Sequence, residues 1–111
     1  MTEIYTGYGF GKTYVGCIDG FDVYRGYGFS KTFVGTCRNG EVYSGYGLRK
    51  SYVGSYGNGD VYRGYGFSKT FVGSYSGSDI YSGYGFSKSY IGRSDGPDAG
   101  AAAAALLLLL K

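Results

Sequence analysis

Five times in succession this chain spells nearly the same 19 residues, with copies starting at Glu3, Asp22, Glu41, Asp60 and Asp79. Each copy reads an acid, Val or Ile, Tyr, a polar or basic residue and Gly-Tyr-Gly. A short turn-like stretch follows, then Lys, Ser or Thr, an aromatic, Val or Ile, and Gly. A unit this short cannot bury its own apolar face. A fixed short period therefore makes one supersecondary unit stack on copies of itself. The repeats fill residues 1–94, and residues 95–111 form a linker and an Ala/Leu-rich segment.

Glycine is dense, with 23 residues, but it comes with 15 Tyr and 7 Phe. Disordered chains lack the aromatic and β-branched residues that every repeat supplies here, so the sequence predicts ordered β structure. A net charge of +3 is too small to argue for nucleic acid or an anionic membrane. Cys17 and Cys37 fall at adjacent, non-equivalent repeat positions. In a regular strand such positions face opposite ways, so no disulfide is expected and a reducing compartment is favoured. The N-terminus has no basic region followed by an apolar one, so no signal peptide is expected and the predicted location is cytoplasmic.

The fourth copy shows the expected hairpin. Asp60 to Gly66 and Lys69 to Tyr75 have strand length and strand composition. Gly66-Phe67-Ser68 lies between them. The joints between copies include Arg38-Asn39-Gly40 and Gly57-Asn58-Gly59. Asn-Gly marks a tight hairpin, because both residues tolerate positive φ. Ten short strands follow. Strict alternation puts Val61, Arg63 and Tyr65 on one face and Tyr62, Gly64 and Gly66 on the other. In the second strand it groups Phe71, Gly73 and Tyr75 against Thr70, Val72 and Ser74. Aromatic rings are then expected to lie over neighbouring glycines as a packing device.

The alternative fold is a parallel β-solenoid with one coil per repeat. Charge separates the two. Equivalent lysines, and equivalent acids, would sit about 4.8 Å apart in a solenoid and roughly 9.6 Å apart in a meander. At water's dielectric the repulsion is about 0.9 against about 0.4 kcal/mol per neighbouring pair. The antiparallel β-hairpin meander is therefore preferred, with an acidic rim and a basic rim at opposite strand ends.

After Gly92 the pattern stops at Ser94-Asp95-Gly96-Pro97. Five alanines and five leucines then predict a short C-terminal helix, capped by Asp98 and complemented by Lys111. It would be roughly 20 Å long, too short for a bilayer core of about 30 Å. Its leucines point around the whole circumference, so it must be covered. Packing on one face of the array is preferred, then association between chains, then a membrane foot.

Gly40-Glu41-Val42-Tyr43-Ser44-Gly45 and Gly59-Asp60-Val61-Tyr62-Arg63-Gly64 read G-x-x-Y-x-G. This resembles the centre of the MORN repeat, a β-hairpin unit of long antiparallel sheets, although MORN repeats run nearer 23 residues and carry further glycines. The resemblance implies scaffolding and phospholipid contact. The array is also similar to bacterial proteins with tandem Ile-Tyr-x-Gly and Val-Gly-Arg repeats, as in Ile91-Gly92-Arg93, which imply no activity.

No His is present for acid–base work, and no metal-ligand cluster or nucleophile motif is visible. Gly-Tyr-Gly recurs, but strand follows strand, whereas phosphate loops lead into a helix. The expectation is a non-enzymatic structural or interaction protein without a cofactor or metal. Its partner is expected to be protein, including itself through the Ala/Leu segment. Nucleic acid is not expected, and membrane association through the tail is the least favoured reading. A small-ligand or carbohydrate binder using exposed Tyr rows is the alternative. The candidate binding surface is Tyr5, Tyr24, Tyr43, Tyr62 and Tyr81 with Lys12, Lys31, Lys50, Lys69 and Lys88.

Overall fold

The computed structural model of the chain describes residues 1–7, 11–26, 28–45, 50–64, 66, 69–83 and 88–110. It is mostly β. The strands are β1 (Thr2–Thr6), β2 (Thr13–Asp19), β3 (Asp22–Arg25), β4 (Thr32–Arg38), β5 (Glu41–Ser44), β6 (Ser51–Gly57), β7 (Asp60–Arg63), β8 (Thr70–Ser76), β9 (Asp79–Ser82) and β10 (Ser89–Asp95). One short helix, α1 (Ala99–Ala105), runs on into a π-helical turn over Leu106–Leu110. Expected elements at Tyr65, Phe67-Ser68 and Lys111 lie outside the described residues.

Every strand pairs antiparallel with its neighbours in sequence, and β1 also pairs with β10. The meander is therefore closed into a barrel, where an open thin sheet was expected. Closure uses the backbone groups of both end strands, through Glu3↔Asp95, Ile4↔Ser94, Tyr5↔Arg93 and Thr6↔Gly92. It leaves no sheet edge. The tight hairpins form where Asn-Gly foretold them. Asn39 and Gly40 have φ of 53° and 81°, and Asn58 and Gly59 have 53° and 88°.

Bulges supply the curl. Val61 and Tyr62 face Gly73 and Phe71, so Val72 has no opposite number. The same skip leaves out Val15, Val34, Val53 and Ile91. An extra residue bends and twists its strand. The bulge carbonyls stay satisfied: Val15, Val34, Val53, Val72 and Ile91 accept from the N–H groups of Gly26, Gly45, Gly64, Gly83 and Gly7 at 2.8–3.1 Å.

These bulges correct the expected faces. Val72 packs against the core, as does Tyr75, while Phe71 stays with Tyr62 on the outer wall. Strict alternation had grouped Phe71 with Tyr75, and Val72 with Ser74. One extra residue reverses the parity beyond it. Rings over glycines are corrected too: Tyr62 meets the edge of Phe71, and the glycines serve the interior.

The Ala/Leu segment lies inside the barrel, where packing on one face of the array was expected. Ten strands enclose more space than strand side chains can fill, since about eight already leave just room enough for them. Ala102 to Ala105 are completely buried, and Leu106 is 1% exposed. They meet a ring of Ile4, Val23, Val42, Val61 and Ile80. Leu110, Leu109, Leu108 and Leu107 then settle on Gly16, Gly35, Gly54 and Gly73 in turn. Five hairpins around a barrel are about 72° apart, whereas α-helical residues turn about 100°. The wider π turn, with i→i+5 bonding, narrows that mismatch and lets successive leucines meet successive hairpins.

The helix entrance is tied to β1. Thr2 Oγ1 donates to Asp98 Oδ2 at 3.5 Å and accepts from the Asp98 N–H at 3.1 Å. The Asp98 side chain makes no capping hydrogen bond, contrary to expectation, because it turns to Thr2. One inner position varies widely, reading Ile18, Cys37, Tyr56, Tyr75 and Ser94. A Cβ on Gly100 would lie 2.8 Å from the Tyr75 hydroxyl and 3.2 Å from the Tyr56 ring, so the helix is glycine where these rings lean in.

Two outcomes follow. A buried Leu contributes on the order of 1.5–3 kcal/mol, so the four buried ones rival the about 5–15 kcal/mol stability of a whole domain. A chain ending at Pro97 is expected to lose cooperative melting by circular dichroism. A cooperative transition within a few degrees of the full chain would refute the helix as the core. Gly73→Ala is expected to cost about 3 kcal/mol or more, since a Cβ collides with the Tyr81 carbonyl and Leu107. Gly57→Ala, with open space around it, should stay within about 0.5 kcal/mol. Equal effects in urea unfolding would contradict the packing.

Candidate functional site

Each candidate Tyr sits one residue after an inward Val or Ile, so it points outward from the barrel wall. Each candidate Lys stands just before the long strand that pairs with that Tyr. The structure brings every one of them together. Lys12, Lys31, Lys50, Lys69 and Lys88 place Nζ 4.5, 4.5, 4.7, 4.4 and 4.6 Å from the ring centres of Tyr5, Tyr24, Tyr43, Tyr62 and Tyr81. This is cation–π distance, worth about 0.5–1 kcal/mol at an exposed site.

A second ring supports each first one, edge to face. Tyr14, Phe33, Tyr52, Phe71 and Tyr90 stand 5.5–5.8 Å away at 77–80°. The other end of the Tyr can reach an acid: Tyr5 donates to Glu3 at 3.0 Å and Tyr43 to Glu41 at 3.1 Å. The outer wall is thus built of vertical columns, with acid below, ring in the middle and lysine above. The hydrogen bond to Glu3 raises the Tyr5 pKa first, and burial adds to it. Glu41 does the same for Tyr43.

The columns also segregate charge. All eight acidic residues of the chain lie at the tight-hairpin end, from Glu3 and Asp22 to Asp95 and Asp98. Lys12, Lys31, Lys50, Lys69, Lys88, Arg25 and Arg63 lie at the other. Among the described cations only Arg38 and Arg93 stand apart. Arg38 covers the exposed Phe21 ring at 4.5 Å.

Sequence reasoning missed three features. Arg25 turns inward and donates to the Leu110 and Leu109 carbonyls at 2.9 Å each, capping the helix end. Its spacing from the leucines, more than eighty residues, gives no sequence signal. A groove of about 370 Å³ on the outer wall is lined by Met1, Glu3, Tyr14, Cys17, Gly28 and Lys31. A smaller one, about 280 Å³, lies beside Tyr56, Asp60, Tyr62 and Lys69. Finally, Phe29 stands fully exposed on a 3₁₀ turn, Gly28–Ser30, at the basic end.

Both cysteines are free and buried. Burial pushes the Cys37 thiol up to about 12. Tyr14 is raised by burial and then by its hydrogen bond with Cys17. Among the described residues no group of three or more His, Cys, Asp or Glu could hold a metal ion, and no helix is long and apolar enough to cross a membrane. No family model, curated protein or solved structure matches the chain.

A sign follows for pH. In the unfolded chain the Cys37 thiol ionises near pH 9, whereas in the barrel it holds its proton to about 12. Between these values the folded state binds more protons, so stability falls as pH rises. The raised Tyr5, Tyr14, Tyr43, Tyr56 and Tyr90 extend the fall beyond pH 10. Thermal melts should drop as pH rises from about 9 towards 12. Cys37→Ala should begin lower but decline less steeply between those two points. An unchanged slope would show that this thiol ionises as freely folded as unfolded.

Proposed function

We propose that the chain is a non-enzymatic structural or interaction protein whose five 19-residue repeats act as equivalent units around one axis. One observation carries this reading: the barrel interior and the outer Tyr faces, where the repeat would enclose or stack a ligand, are occupied by the chain itself. The interior is filled by residues 99–110, and the outer Tyr faces are covered by the chain's own lysines. A protein built to stack sugars or rings on its Tyr rows would leave those faces open. The units also share their chemistry, whereas a catalytic centre needs one unit to depart from the rest.

The groove beside Cys17 favours a second reading, a small-ligand site. Its volume is at the low end for such sites, and Glu3, Lys31 and the Tyr14 ring offer mixed polar and apolar contacts. A thermal-shift screen of sugars, nucleotides and small acids separates the two. Saturation at about a hundredfold the dissociation constant adds about 2.7 kcal/mol, or roughly ten degrees. The interaction reading expects no such stabilisation. A sharp shift that Lys31→Ala removes would replace it with the binder.

A further inference from the structure

The two ends of the barrel complement each other. All eight acids lie at the tight-hairpin end, where Arg38 and Arg93 are the only described cations of a side chain to join them. Lys12, Lys31, Lys50, Lys69, Lys88, Arg25 and Arg63 stand solvent-exposed at the other end. Among the described residues three large apolar side chains are exposed, and they too divide between the ends. Met1 and Phe21 belong to the acidic one and Phe29 to the basic one. We propose that the chain stacks head to tail on copies of itself, the basic end of one barrel seated on the acidic end of the next. The proposal rests on the interaction reading above and names its partner, a second copy.

Geometry favours that occupant. The repeat-opening acids Glu3, Asp22, Glu41, Asp60 and Asp79 come one from each unit, and so do the five lysines. Both ends therefore carry a charged ring of the same fivefold spacing. A second copy matches that spacing by construction, which an unrelated partner does not. Two like ends repel, since the seven described cations would face seven more. The contact is thus heterologous, and each added copy leaves a free end for another. Charge alone allows five equivalent rotations. The apolar residues choose one of them, because Phe29 has a single counterpart patch, Met1 and Phe21, at the ends of the adjacent strands β1, β2 and β3. The faces are also large enough. Five units around an axis give two nearly equal widths, and the molecule measures 40 × 38 × 20 Å, so the barrel axis is the short dimension. A face of that breadth, about 1,200 Å², exceeds the about 800 Å² per partner of a standard interface.

The test is sedimentation velocity of the full chain at about 0.01 M and about 1 M salt, where charges are screened beyond about 30 Å and about 3 Å. At low salt the mean size is expected to rise with concentration without levelling at a dimer. At high salt it should fall to the monomer. Phe29→Asp sets an acid against the next copy's acids, and Phe21→Lys sets a cation against the next copy's cations. Each alone should weaken association about a hundredfold or more. Asp19→Lys, at an exposed hairpin position opposite Asp22, blocks the same end as Phe21→Lys and replaces it if that variant melts lower than the parent. Mixed in equal amounts, the two blocked chains retain one intact contact between them and should stop at a dimer. A chain that stays monomeric at low salt up to about 1 mM overturns the proposal. So do a closed dimer that neither variant disturbs, assembly that survives high salt, and a mixture that stays monomeric. None of these results touches the non-enzymatic interaction reading, which turnover of a substrate or a sharp ligand-induced stabilisation would end.

Discussion

The barrel depends on how its interior is filled. Ten strands cannot close around side chains of Val and Ile size without leaving a void, and voids forfeit dispersion contacts as well as burial. Residues 99–110 are that filling. The alanines pass the waist of the barrel, where Ile4, Val23, Val42, Val61 and Ile80 press inward. The leucines spread where the wall is glycine. Bulk on the helix and lack of bulk on the strands are two halves of one contact, so neither Gly73 nor Leu107 is explained alone. The wall and the filling are parts of one chain, joined through Pro97 and held at the entrance by Thr2 and Asp98.

Closure and filling share a cause in the bulges. The skipped Val or Ile, followed by Gly, bends each long strand and also turns two successive residues towards the core. Without that bend the sheet would stay open and present two raw edges. With it, β1 reaches β10 in register, and outer rings meet each other while inner valines meet the helix. A motif of three residues therefore sets curvature, core composition and the outer aromatic pairs together.

Electrostatics runs along the same axis. The helix enters at the acidic end and leaves at the basic end, so its partially positive N-terminus faces carboxylates and its carbonyl end faces Arg25. On the outside, lysines lie on rings and two of the tyrosines lie on acids, which spreads each charge over a column. Like charges meet across strands at Glu3↔Asp95 and Asp19↔Asp22, and opposite ones at Arg38↔Glu41 and Arg93↔Asp79, all at the acidic end, while the described residues of the basic end include no acid. That polarity gives the molecule two chemically different ends.

Much of this was legible in the residues. The 19-residue period determined ten antiparallel strands, the Asn39-Gly40 and Asn58-Gly59 turns, and the pairing of candidate Tyr with candidate Lys. It also determined that the leucines, pointing all ways, had to be covered. Such features rest on local chemistry: turn residues at positive φ, strand propensity, and side chains one strand apart. What covers the leucines was decided only in three dimensions. The bulge at Val72 breaks the period-two rule without any residue that announces it, and closure depends on all five bulges at once. Arg25 meets Leu109 and Leu110 from more than eighty residues away. The sequence by itself determined the pieces and their repeat. The tertiary structure decided that they form a closed wall around their own tail, because the curvature and the volume it encloses are properties of the assembled ring.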